Sequence, residues 1–183
     1  MSFVLSMMRS RLGTKNAVII LSVVYLISQV VIGTILEQIG GPEVMKLQVT
    51  GWSAEIYQAT FADWQARGLM DYYHAHFIFD DIHWLWYALS LTALLAAVMN
   101  RAGKPQSWNI LLALPFVAGL CDLLENSIQH VFLVSPAGTT IVDPLPAIST
   151  LASITKWGLA FGLIALVLVL FVSSLGGKKA SAA

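Results

Sequence analysis

The chain has 183 residues, 57% of them hydrophobic and 11% charged, with no formal net charge at neutral pH and a mean hydropathy of +0.76. A soluble domain carries about 25% charged residues, so the composition excludes an ordinary soluble globular protein, and the lack of a basic stripe gives no support to nucleic-acid binding. Cys121 is the only cysteine, which excludes an internal disulfide and any dithiol relay.

In chain order, residues 1–15 predict a short helix lying on the cytoplasmic surface. The apolar segment 17–36 is long enough to span a bilayer and lacks a small-residue cleavage site, so it reads as a retained signal anchor. The outer loop 37–81 is too long for a plain connector. Gly40-Gly41-Pro42 breaks the chain, and Ser53 then offers an N-cap with Glu55 in the first turn. Ile56, Phe61 and Trp64 follow before Gly68, which suits a C-terminal cap. A second short helix is expected from Leu69 into Phe79. Trp52, Trp64, Tyr72, Tyr73, Trp84 and Trp86 gather here as aromatic residues do at a membrane interface, and the loop reads as a lid on the outer leaflet.

Asp80 or Asp81 would cap a second span at 82–100. A short inner loop, 101–107, leads to a third span at 109–134. The outer loop 135–147, with Pro136, Gly138, Pro144 and Pro146, leads to a fourth at 148–175, and the tail after Gly176 reads as disordered. Short connections make successive spans antiparallel neighbours. The expected fold is all-α: one domain, 1–183, forming a polytopic membrane four-helix bundle with a long, partly helical outer loop. Arg9, Arg11, Lys15, Arg101, Lys104, Lys178 and Lys179 flank one side of the spans, and only Lys46 and Arg67 the other, which places both termini in the cytoplasm.

Asp122, Glu125, Asn126, Gln129 and, at the margin, His130 share a stripe of the third span. Ser22, Tyr25, Gln29, Gly33 and Glu37 form one on the first span, Asp80, His83, Tyr87 and Ser90 on the second, and Ser149, Ser153, Lys156 and Ala160 on the fourth. Intramembrane ionisable groups are expensive and usually functional. The stripes predict an outward-facing polar cavity, closed toward the cytoplasm by Leu94, Leu95, Leu111, Leu112, Leu166 and Leu170. That apolar half argues against a continuous channel.

In this cavity Asp122 and Glu125 are the candidate acid/base pair, since neighbouring carboxylates drive their pKa values apart. Lys156 lies at the depth of Glu125, roughly 12–13 Å below the outer end counted at 1.5 Å per residue, and is the candidate counter-ion. Asn126, Gln129, Tyr25, Gln29, Tyr87, His83 and His130 are candidate ligand contacts. The bland alternative is a polar network of Lys156, Gln29 and Tyr25 with the acids that only fixes helix packing. His74, His76, Asp81, His83 and His130 have side chains that suit zinc, copper or iron, and His83 with His130 allows a bis-histidine haem; interfacial histidines are the simpler reading, and no cofactor is assigned. Gly158 and Gly162 have the GxxxG spacing that permits close helix contact, a homodimer or another membrane subunit.

The run Gly68-Leu69-Met70-Asp71-Tyr72-Tyr73, then Asp81 and Trp86-Tyr87-Ala88-Leu89, together with Asp122-Leu123-Leu124-Glu125-Asn126, resembles a group of small bacterial inner-membrane proteins with a D-L-L-E-N helix. The likeness covers about half the chain and implies no activity. The overall plan is similar to the four-helix emopamil-binding sterol isomerase group, whose acidic and aromatic residues face a cavity inside the bundle. That resemblance implies a lipid-like ligand. The leading expectation, resting on the intramembrane acids, is an inner-membrane protein that binds an amphipathic lipid- or isoprenoid-like molecule, with its chemical conversion left open; the rival is a non-catalytic subunit of a larger membrane complex.

Overall fold

The computed structural model describes residues 2–134 and 141–176. The tail after Gly176 and residues 135–140 of the 135–147 loop lie outside the described residues.

Four helices are long and apolar enough to cross a membrane, and no strand occurs among the described residues. Helix α1 (Ser2–Leu12) precedes α2 (Lys15–Glu37), which starts where Thr14 accepts from the Ala17 amide at 3.3 Å. Gly40, at φ 86°, takes the left-handed turn that other residues resist. It opens α3 (Gly41–Thr50), whose first turn holds Pro42 and the acidic Glu43, both suited to a helix start. Ser53 caps α4 (Ala54–Ala66) by accepting from the Ile56 amide, as its position in the sequence predicts.

Helix α5 (Met70–Arg101) departs from expectation. The short helix from Leu69 and the span from 82 are one element of 32 residues, roughly 48 Å long at 1.5 Å per residue. No Gly or Pro interrupts this stretch, so nothing stops the helix. Asp80 and Asp81 are mid-helix residues rather than caps, and their carboxylates reach across to α6 instead. The third span is also divided. A 3-10 helix (Gln106–Ala113) gives way to α6 (Leu114–Leu133) next to Pro115, whose ring would clash with the carbonyl one turn back in a continuous α-helix. Helix α7 (Leu145–Gly176) begins three residues earlier than predicted, with Pro146 in its first turn.

The inner bundle is α5, α6 and α7. Helix α2 lies on the α5 flank, with only 6% of its most apolar stretch buried against 56% for α5. Two apolar clusters occupy the ends. One joins Leu5 of α1 to Leu91, Leu95, Met99, Leu112, Leu163 and Leu170. The other brings Tyr57, Phe61 and Trp64 of α4 against Ile39, Leu47, Tyr73, Phe77, Ile128 and Phe132. Trp64 and Tyr73 are thus core residues, at 1% exposure each, while Trp52 and Tyr72 remain exposed as interface anchors should.

The expected lid is fastened to the bundle. Thr150 donates to the Gly51 carbonyl at 2.8 Å, Trp157 Nε1 to Gln48 Oε1 at 3.1 Å, Gln58 Nε2 to the Ile141 carbonyl at 3.1 Å, and the Ala54 amide to Asp143 at 3.0 Å. At the opposite end Arg9 ties α1 down, donating to the Lys104 and Pro105 carbonyls at 2.7 and 3.2 Å and to Asn100 and Asn109 at 2.8 and 2.9 Å. The short helix expected within residues 1–15 is present as α1, held by Arg9 to the turn that follows α5.

Candidate functional site

Between the two apolar clusters lies a polar layer. Once α5 is one helix, Tyr73, His76, Asp80, His83, Tyr87 and Ser90 fall at alternating spacings of three and four and share a face. The buried face of α6 carries Pro115, Ala118, Gly119, Asp122, Glu125, Asn126 and Gln129, as its periodicity predicts. Gly119 is needed for approach: a Cβ there would stand 2.8 Å from Trp84 Cε3. From α7 come Ser149, Ser153 and Lys156, all buried.

At the centre Lys156 Nζ stands 2.6 Å from Asp122 Oδ1 and 2.6 Å from Glu125 Oε2. It donates a hydrogen bond to Asp122; its contact with Glu125 is an ion pair without hydrogen-bond alignment. Glu125 is 0% exposed, Asp122 2% and Lys156 6%. Glu125 Oε1 accepts from Gln129 Nε2 at 3.1 Å, and Gln129 Oε1 accepts in turn from the Tyr73 hydroxyl. A polar chain therefore runs from Tyr73 through Gln129, Glu125 and Lys156 to Asp122, crossing three helices. The buried Tyr87 hydroxyl, which faces Asp122, has no well-formed hydrogen bond among the described residues. Asn126 donates to Asp80 at 3.0 Å, extending the layer toward the α5–α6 seam.

The predicted pairing of Lys156 with Glu125 is present, and Asp122 shares the same ammonium. Two carboxylates face one ammonium, so the cluster is not a one-to-one ion pair.

Other candidates lie elsewhere. Gln29, Gly33 and Glu37 are exposed, because α2 packs chiefly on α5 and turns Ser22, Tyr25 and Ser28 inward. Ser28 bonds His83 Nδ1 at 2.9 Å and Tyr25 stacks on the same ring at 5.6 Å. Among the described residues Gln29 accepts from the Tyr25 hydroxyl alone, at 3.4 Å. Neither Gln29 nor Tyr25 joins the acids, and three polar stripes converge rather than four. His130 pairs with Asp81 at 3.0 Å in a half-exposed contact.

The metal and haem candidates are dispersed. His74 and His76 sit on one helix about 200° apart; His74 is exposed while His76 bonds the Tyr73 carbonyl. His83 is taken by Ser28, and Asp81 with His130 stands apart. No three His, Cys, Asp or Glu side chains come together as a metal site among the described residues.

The space expected as an open cavity is filled by the polar side chains themselves and roofed by Tyr57, whose hydroxyl meets Ser149 at 3.4 Å. Burial pushes the Tyr57 phenol up to about 12, so it stays neutral. Tyr57, Tyr73, Ser28 and Arg9 were not apparent as site or framework residues from sequence. Only Tyr73 had a readable signal, its helical register with Asp80 and Tyr87. Comparison with protein-family models, curated proteins and solved structures finds no match.

Proposed function

We propose that this chain is a multi-pass protein of the bacterial inner membrane that binds an amphipathic, lipid- or isoprenoid-like molecule at the Lys156–Asp122–Glu125 cluster, with the two acids placed to exchange a proton with it. The observation that carries this reading is one buried ammonium within 2.6 Å of each of two carboxylates, at a depth where apolar packing surrounds them. Apolar residues of similar volume often stabilise a fold as well as or better than a buried ion pair, so structure alone is a weak reason for such a cluster. Asp80, on the α5–α6 seam and accepting from Asn126, extends the polar layer toward that seam. The likeness of plan to the emopamil-binding group favours a lipid-like ligand. Arg9, Arg11, Lys15, Arg101 and Lys104 gather at the α1 end, which supports a cytoplasmic N-terminus.

The test is Asp122→Asn. It leaves Lys156 paired with Glu125, so the bundle should keep its melting temperature in detergent, while native mass spectrometry should show the co-purifying molecule lost. Unchanged occupancy contradicts the reading.

A second reading, a non-catalytic subunit of a larger complex, is favoured by one feature of α7. Gly158 and Gly162 are exposed, with open space where a Cβ would stand, beside the stacked rings of Trp157 and Phe161. Another helix can approach closely there. Stable co-purification with a larger assembly in mild detergent would favour this reading.

A further inference from the structure

The α1 end of the molecule holds a second polar feature, unrelated to the acid cluster. A pocket of about 330 Å³ opens between α1 and the turn leading into the 3-10 helix, lined by Ser6, Arg9, Ser10, Lys104, Gln106 and Asn109 among others. That is several times the ~30 Å³ share of a water molecule. Its lining contains two cations, hydroxyls and side-chain amides, and no carboxylate. Arg9 is committed to four protein acceptors, yet its guanidinium charge still faces this space. The Lys104 ammonium lies 4.8 Å from the centre of the Trp108 ring and has no acidic partner among the described residues.

The position matters as much as the charge. Ser6 and Ser10 share a side of α1 with Phe3 and Met7, which are 78% and 48% exposed, and Val4 beside them is 51% exposed. A cationic pocket therefore borders an uncovered apolar face, at the end of the spans where the bundle meets a membrane surface. A free anion has no use for that apolar border, whereas a lipid has both a charged head and chains. Basic pockets between membrane helices bind anionic headgroups by the same combination.

We propose that this pocket binds the phosphate-bearing headgroup of an anionic phospholipid, with Lys104 as the main electrostatic contact, Gln106 and the α1 hydroxyls as hydrogen-bonding partners, and Phe3 and Met7 against the acyl chains. The experiment is native mass spectrometry of the detergent-purified full chain. It is incubated with phosphatidylglycerol, with phosphatidylcholine of identical chains, and with phosphatidylglycerol plus millimolar inorganic phosphate. Lys104→Gln removes the charge; Gln106→Glu, at an exposed position, places an opposing charge in the pocket and serves if the first variant fails to fold. Each should lower phosphatidylglycerol retention about fivefold, the effect of one basic residue near an anionic surface, and leave phosphatidylcholine retention unchanged. Equal retention of the two lipids by the natural chain, or no effect of either variant, overturns the proposal. Displacement of the lipid by inorganic phosphate overturns the lipid assignment and leaves a phosphate site.

Discussion

Lys156 and Asp122 come from α7 and α6, 34 residues apart in the chain, and meet at 2.6 Å with both side chains buried. Glu125 completes the arrangement from one turn further along α6. Removing the ammonium by Lys156→Met leaves two carboxylates enclosed without a counter-charge, which should lower stability by about 3–5 kcal/mol. Unfolding in detergent should show the loss, and adding Asp122→Asn and Glu125→Gln to the same chain should recover most of it.

Arg9 is the fastening of α1. Arg9→Ala removes four hydrogen bonds donated by a charged group. With partial exposure discounting their sum, α1 should lose on the order of 2 kcal/mol against local opening. Hydrogen exchange of the α1 amides should quicken by roughly 30-fold while the α6 amides keep their protection.

Gly119 is fixed by its neighbour rather than by its backbone. A methyl group there meets Trp84 at 2.8 Å, so Gly119→Ala should destabilise by about 1–3 kcal/mol through forced displacement of the indole. Gly158→Ala meets open space and should leave the melting temperature of the detergent-purified protein within error. The pair of melts separates packing from helix propensity.

Tyr57 gives a pH dependence with a definite sign. Its phenol is held by burial at about 12, above the ordinary value of 10.0, so the fold favours the neutral form. The stability this contributes is complete below pH 10 and is lost as the pH rises toward 12. The melting temperature of the detergent-purified protein should fall over that window, and Tyr57→Phe, which removes a long 3.4 Å hydrogen bond to Ser149, should make that fall shallower.

The α6 stripe was legible because one helical period places Asp122, Glu125, Asn126 and Gln129 together whatever surrounds them. The Lys156 pairing followed from counting depth along two antiparallel helices. The site's other wall was obscured by a boundary error: taking Asp80 and Asp81 as caps cut α5 in two and hid Tyr73 and His76 from the stripe they share with Tyr87. Gln29 was misplaced for a different reason. A single amphipathic pattern gives which residues share a face but not which neighbour that face meets, and α2 packs chiefly on α5. Arg9 depends on carbonyls gathered by a turn 95 residues away, a tertiary feature no local pattern carries.

If the buried ammonium and its two acids serve binding rather than folding, as proposed, apolar replacements should remove binding and keep the fold. The most direct measurement is a paired one on the chain carrying Asp122→Leu, Glu125→Met and Lys156→Met together: its unfolding in detergent and the mass spectrum of what it retains. The expected result is a bundle at least as stable as the natural one that no longer retains the amphipathic molecule proposed to bind at the cluster. A triple variant that does not assemble, or one that keeps the molecule, would contradict it.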